Sequence, residues 1–181
     1  MRVHLLALPL AVLVACGAAP VDSRDLTRQS FWQEPALAAE DHASACAVVF
    51  TPAPELLAET LAAAARWSAA TGCDIRVGEG GIALRLVEER MPTPRGTLAH
   101  GATYCASAPC KRSGLVIDVA RDHAAVTIPH EMGHALASTT DHVEDDENAL
   151  MFHTGGEGVI LACDLVLVCG ALDCALMTPE A

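Results

Sequence analysis

The feature that most constrains the fold is a helical pattern enclosed by two strand patterns within residues 47–77. Residues 47–50 are a continuous apolar run typical of a buried strand, and residues 73–77 alternate as a strand does. Between them, a helical period places Leu57, Leu61 and Ala64 on one face, starts among prolines and stops at Gly72. A strand, a helix and a strand in succession predict a right-handed crossover between parallel strands.

The rest of the chain predicts further elements of the same domain. We expect strands at residues 82–87, 96–104 and 115–119, a helix over residues 130–138 and a terminal helix within residues 159–177. Pro129 indicates that the middle helix begins near Thr127 or is kinked. The predicted fold class is α/β (α+β in layered terms): a small twisted mixed sheet with an antiparallel edge strand, a backing helix, the helix over residues 130–138 and a C-terminal helix. A chain of 181 residues with 52% hydrophobic side chains supports one such core.

The N-terminus predicts export and a lipid anchor. Residues 5–15 are an apolar run after a basic start, which is the length of a signal-peptide core and too short to span a bilayer. The run ends at residues 13–16 in LVAC, which resembles the bacterial lipobox and makes Cys16 the acylated residue. The alternative is an ordinary secretory signal cleaved near Ala18 or Ala19. The expected organisation is a signal peptide at residues 1–15, a lipid-anchored tether at residues 16–44 and one folded domain at residues 45–181.

The remaining cysteines are candidates for disulfides, because an exported chain reaches an oxidising compartment. They are Cys46, Cys73, Cys105, Cys110, Cys163, Cys169 and Cys174. Their number is odd, so at most three bridges form within the chain and one thiol is left over. Cys105 with Cys110 is the expected local bridge.

The charge of the chain limits its partners. Eleven Lys and Arg face twenty-three Asp and Glu, which gives a formal charge of −12. Partners bound mainly through phosphates need a basic face, so nucleic acid is excluded as a partner. No stretch of eighteen uncharged apolar residues is present, so membrane contact is expected through the N-terminal lipid only.

The segment His130-Glu131-Met132-Gly133-His134 carries the clearest chemical signal. Histidines four residues apart lie on one face of a helix, where their nitrogens can meet one Zn²⁺ at about 2.0–2.1 Å. Glu131 is rotated about 100° from His130 around the helix axis, so it can reach a water on the metal without being a ligand. The spacing predicts one catalytic Zn²⁺ with Glu131 as the general base.

Around this motif the sequence resembles the matrixins within the metzincin zinc endopeptidases. Residues 130–136 read HEMGHAL and match the family's HExGHxL. The resemblance spans roughly residues 46–156. It implies that His130 and His134 are zinc ligands, that Glu131 is the catalytic base, and that Met151 belongs to the tight turn beneath the metal.

Upstream, the resemblance extends to Leu98 and Ala99, which match the edge strand of the substrate cleft. In the family this strand pairs with an extended substrate backbone. His100 matches a histidine that helps to hold a second, structural zinc in animal matrixins. Its partner histidine is expected just before Asp118, where Val116 stands, so no second zinc is predicted.

The sequence departs from the family at the third ligand. The family places a glycine three residues and the ligand six residues after the second histidine, and these positions hold Ala137 and Thr140. His142 comes two residues late and is the expected third ligand, delivered by a wider loop. Asp141 is expected to orient it or to replace it. The other open candidates are His153 and, as in thermolysin-like enzymes, Glu157.

The predicted function is a zinc-dependent endopeptidase that hydrolyses peptide bonds through a metal-bound water, with Glu131 as the general base. Its substrate is expected to be a peptide or protein, and the enzyme to be a monomer in the bacterial cell envelope, in the periplasm or at the cell surface. The alternative is a catalytically weak or inactive zinc-binding lipoprotein that acts as a binding or assembly module, which the altered ligand loop favours.

Overall fold

The first elements of the domain are the predicted strand, helix and strand. The computed structural model describes residues 46–92, 97–106, 114–138, 141–143, 146–153 and 159–172, so the predicted signal peptide, Cys16 and the tether lie outside the described residues. Strand β1 (Ala47–Pro52) leads through a short 3-10 turn into helix α1 (Leu57–Thr71), and strand β2 (Asp74–Val77) returns parallel to β1. Helix α1 ends where Gly72 adopts a left-handed φ of 72°, so the predicted succession of a strand, a helix and a parallel strand is confirmed.

A mixed sheet forms the centre of the domain. The later strands are β3 (Ile82–Val87), β4 (Met91–Pro92), β5 (Leu98–Ala99), β6 (Gly101–Cys105) and β7 (Leu115–Ala120). Five strands make one sheet in the order β2-β1-β3-β7-β6, in which β6 is the antiparallel strand at one edge. The predicted mixed sheet with an antiparallel edge strand is therefore confirmed.

The prediction of one continuous strand over residues 96–104 is wrong. The ladder between β6 and β7 ends at the pair Gly101 and Val119, because β7 stops at Ala120. The Ala120 N–H still donates to the His100 carbonyl at 2.7 Å, just beyond the end of this ladder. Strand β5 instead pairs antiparallel with β4, which was not predicted.

Helix α2 (Ala124–Ala137) crosses the sheet and packs against α1, β6, β7 and helix α3 (Ala162–Leu172). Helix α2 begins earlier than residue 130 and earlier than Thr127, which were the two predicted starts, and Pro129 lies inside it. Every residue from Thr127 to Ala137 is buried, because α2 packs against two strands and two helices at once. Burial of this face explains why the helix tolerates a proline that removes one backbone hydrogen bond.

A disulfide between Cys46 and Cys73 joins the starts of β1 and β2. Cys105, Cys163 and Cys169 are also disulfide-bonded, so the predicted leftover thiol is not among the described cysteines. Cys110, the expected partner of Cys105, lies outside the described residues. In the described part of the chain, no helix is both long and apolar enough to cross a membrane.

Candidate metal centre

Helix α2 and the segment after it bring three histidines together. His130 and His134 are buried on α2, and half-buried His142 joins them, so that one ligand atom of each lies within 4.8 Å of the others. The Nε2 atoms of His130 and His134 are 3.1 Å apart. Nitrogens bound tetrahedrally to zinc at about 2.0–2.1 Å are separated by about 3.3 Å, so this pair is already at a ligand spacing. The three histidines form a group that could hold a metal ion.

A backbone carbonyl orients the His130 ring. The Nδ1 atom of His130 lies 2.7 Å from the Leu150 carbonyl oxygen. A carbonyl oxygen only accepts hydrogen bonds, so Nδ1 carries the proton and Nε2 of the neutral ring keeps its lone pair. That lone pair is on the side of His134, where a metal would be bound.

Glu131 is held beside the histidines by strand β6. Its carboxylate is buried, and the Thr103 hydroxyl lies 2.8 Å from Oε2 and 3.0 Å from the Glu131 carbonyl oxygen. Burial raises the pKa of Glu131 above its ordinary value of 4.5, although His130 and the Thr103 hydrogen bond act in the opposite direction. The carboxyl group therefore has a fixed orientation and a raised proton affinity.

Gly101 makes room for this arrangement. A Cβ atom at residue 101 would lie 2.6 Å from Cγ of Glu131 and 2.4 Å from Cγ2 of Thr127. Only glycine lets strand β6 approach α2 this closely. Gly101 and Thr103 were not singled out from the sequence, although a glycine within a strand pattern is a signal of close backbone approach.

Met151 forms a floor under α2. Its side chain is fully buried, and a Cβ atom at Gly133 would lie 2.2 Å from its Sδ atom and 3.0 Å from Cζ2 of Trp67. Gly133 is therefore approached by Met151 and by Trp67 of α1. Trp67 also donates from Nε1 to the Pro129 carbonyl at 2.9 Å, which fixes α1 against α2 next to His130.

Asp164 of helix α3 holds the segment around Met151. Its buried carboxylate accepts the backbone N–H of Leu150 at 3.0 Å, of Met151 at 2.7 Å and of Leu161 at 2.7 Å. The Leu161 bond caps the start of α3 in the manner of an acidic residue at the third helical position. Asp164 was not singled out from the sequence. A single acid at the start of an apolar helix was the signal available for this role.

The turn after α2 differs from the pattern that the resemblance implies. Ala137 is still helical, and the left-handed residue is Ser138, with φ 54° and its N–H bonded to the His134 carbonyl. The turn therefore comes one residue later than the family's glycine. The Val143 N–H donates to the Met151 carbonyl at 2.9 Å, so the chain next to His142 is fixed to the segment beneath the histidines.

The other predicted site residues lie apart from this group. The third member is His142 rather than Asp141, and the His153 ring instead contacts the Phe152 ring, tilted by 50° with centroids 4.2 Å apart. Leu98 is 60% exposed and Ala99 half-buried on β5, beside the main sheet rather than in it. Cys16 and Glu157 lie outside the described residues.

Comparison with known proteins adds no relative: neither the models of protein families nor the curated proteins give a match to this chain.

Proposed function

We propose that this protein is a zinc-dependent endopeptidase of the matrixin-like metzincin type. The observation that carries the proposal is a buried group of three histidines with a buried carboxylate, Glu131, placed between two of them in the sequence. A group with only a structural role would need no base at this position. Three histidines and a neighbouring glutamate are the parts that metal-assisted hydrolysis of a peptide bond requires.

The donor set favours zinc. His130, His134 and His142 offer imidazole nitrogens, which suit zinc, and the Leu150 carbonyl fixes one ring in the tautomer that a metal needs. Three protein ligands leave a coordination position open, which distinguishes catalytic from structural zinc sites. Zinc in such a site polarises a carbonyl group and lowers the pKa of a water molecule that it binds.

Within this proposal, Glu131 moves the proton. Its carboxylate accepts a proton from the attacking water and returns it to the amine that leaves. A pKa raised by burial brings the group closer to neutral pH, where a base can both take and release a proton. Thr103 holds Oε2 at 2.8 Å, so the carboxylate keeps one orientation during the transfer.

The edge of the sheet indicates how a substrate would lie. Strand β6 carries Thr103 and has no partner on its outer side among the described strands. An extended peptide could add to this edge through backbone hydrogen bonds, and exposed Leu98 lies three residues before the strand in the chain. We therefore propose a peptide or protein in extended conformation as the substrate, bound by a monomer.

We further propose that the protein works outside the cytosol, held to a membrane by a lipid on Cys16. All five described cysteines are disulfide-bonded, which is typical of an oxidising compartment.

A binding or assembly module that keeps the metal without catalysis is the second candidate. The departure at the third ligand favours it, because the left-handed turn falls at Ser138 instead of at the position of the family's glycine.

The test measures zinc content and cleavage of a peptide library for the parent protein and its variants. Glu131→Gln should retain zinc and lose about 10²–10⁴-fold of turnover, since it removes the base and keeps the ligands. His142→Ala should bind zinc at least about tenfold more weakly, and Asp141→Ala should lose about 10–100-fold or less. His153→Ala is the matched control and should match the parent.

Unchanged turnover in Glu131→Gln would exclude Glu131 as the base. A zinc-loaded parent that cleaves no peptide would instead support the binding module. Loss of zinc in Asp141→Ala with retention in His142→Ala would reverse the ligand assignment.

A further inference from the structure

A second group of potential metal ligands lies at the opposite end of α2 from His134. It consists of His100, Asp122 and His123, and one ligand atom of each lies within 4.8 Å of the others. His100 Nδ1 is 3.2 Å from Asp122 Oδ1, and the two imidazole rings meet edge to face with centroids 4.0 Å apart. His100 directly precedes β6, whereas Asp122 and His123 belong to the 3-10 turn before α2.

Two contacts organise this group from outside it. Arg90 donates to Oδ2 of Asp122 through Nε at 3.1 Å and Nη2 at 2.8 Å. The other carboxylate oxygen, Oδ1, therefore faces His100. The backbone bond from Ala120 to the His100 carbonyl fixes the two segments against each other.

We propose that His100, Asp122 and His123 bind a second divalent transition-metal ion, with zinc as its occupant. Two imidazoles and one carboxylate are a donor set that zinc accepts. Tetrahedral binding needs ligand atoms about 3.3 Å apart, and these half-buried or exposed side chains can close the remaining distance by rotation. The group shares no residue with the three-histidine cluster.

No second zinc was predicted from the sequence, because Val116 stands where the partner histidine just before Asp118 is expected. The structure offers different partners, because β7 runs antiparallel to β6 and its C-terminal end, followed by Asp122 and His123, meets the start of β6. A metal here would join the chain leaving β5 to the start of α2. It would thereby connect the sheet edge with the helix that carries His130.

The site should bind zinc more weakly than the three-histidine cluster does. Its side chains are more exposed, and the Arg90 guanidinium places a positive charge next to the ion. Oδ2 remains with Arg90 while Oδ1 is available to the metal, so binding does not require that ion pair to break.

The experiment uses His134→Ala to disable the first cluster and titrates the purified protein with Zn²⁺ alone, followed by calorimetry and thermal unfolding. We expect one remaining equivalent and a zinc-dependent rise in Tm. Adding His123→Ala or His100→Ala should weaken this equivalent at least about tenfold and remove the rise in Tm. His153→Ala in the same background is the control and should leave both unchanged.

Absence of this equivalent in folded His134→Ala, or its persistence in both double variants, would overturn the proposal. If His134→Ala does not fold, the same comparison is made in the parent, where His123→Ala should reduce the zinc stoichiometry from two to one. An unchanged stoichiometry there would equally overturn it. Peptide cleavage is not used as a readout, so the result is independent of the proposed protease activity.

Discussion

Replacing Gly133 by alanine should destabilise the protein although alanine is the better helix former. In an open helix position the change would stabilise by about 1 kcal/mol. Here the new Cβ would lie 2.2 Å from Met151 Sδ, so the sulfur must move by more than 1 Å to reach an ordinary contact. Overpacking a buried site costs about 1–3 kcal/mol, and both Met151 and Trp67 are fully buried. Because both neighbours are fully buried, the cost should lie in the upper part of this range, about 2–3 kcal/mol. Subtracting the helix-propensity gain of about 1 kcal/mol leaves an expected net loss of about 1–2 kcal/mol in the free energy of unfolding.

Urea unfolding of the chelator-treated protein, followed by circular dichroism, measures this loss without any contribution from metal. Gly78→Ala is the control, because its nearest neighbour is Val49 Cγ1 at 3.4 Å and the added methyl group meets only ordinary contact. The control should stay within about 0.5 kcal/mol of the parent.

A double-mutant cycle with Met151→Ala identifies the cause. Met151→Ala alone should cost about 2–5 kcal/mol, because it empties a buried site. In that background Gly133→Ala should become neutral or stabilising, since the sulfur is gone and Trp67 at 3.0 Å needs only a small shift. An equal loss in both backgrounds would refute the argument that Met151 requires glycine at residue 133.

Four further predictions concern single groups. Asp164→Ala should lower the free energy of unfolding by about 3 kcal/mol or more, because three backbone N–H groups lose their acceptor, and a loss below 1 kcal/mol in urea unfolding would contradict this. Ser138→Gly should stabilise by about 1 kcal/mol, because Ser138 has a φ of 54° and its buried hydroxyl finds no hydrogen-bond partner among the described residues, and an unchanged or lower Tm would exclude the reasoning. Because the pKa of Glu131 is raised in the folded state, the metal-free fold loses stability as the pH rises from 4.5 through that pKa. Glu131→Gln should therefore be more stable than the parent at pH 7 and lose this advantage below pH 4.5. Parallel curves of unfolding free energy against pH for the two proteins would contradict the burial argument. Cys16→Ser should release the protein from membranes on fractionation, and a mutant that stays with the membranes would rule out the lipid anchor.

The parts of the fold that follow from local pattern could be predicted. The crossover from β1 through α1 to β2 has short periodic segments with clear stop signals, and Ile82–Val87 has the bounds that its apolar run predicts. The break at His100 could not be predicted, because it depends on where the partner strand β7 ends. The early start of α2 was hidden by Pro129, whose local preference is overridden by burial of the whole helix.

The candidate site also has one part that local sequence pattern predicts and one part that it does not. His130 and His134 share a face because helical spacing alone places them together, and His142 is close to them in sequence. Thr103 contacts Glu131 across 28 residues, and Trp67 reaches Pro129 across 62. Such contacts depend on how the sheet and helices pack, which no local pattern contains.

The segment around Met151 depends on Asp164, a residue that is synthesised after it. A ribosome delivers the histidine motif first, and the carboxylate that secures the floor beneath it follows 30 residues after His134 in the chain. A nascent chain that ends before α3 would carry all three histidines and the glutamate, yet Leu150 and Met151 would lack the acceptor for their N–H groups. Synthesis from the N-terminus therefore delays the ordering of the segment beneath the three histidines until α3 has been made.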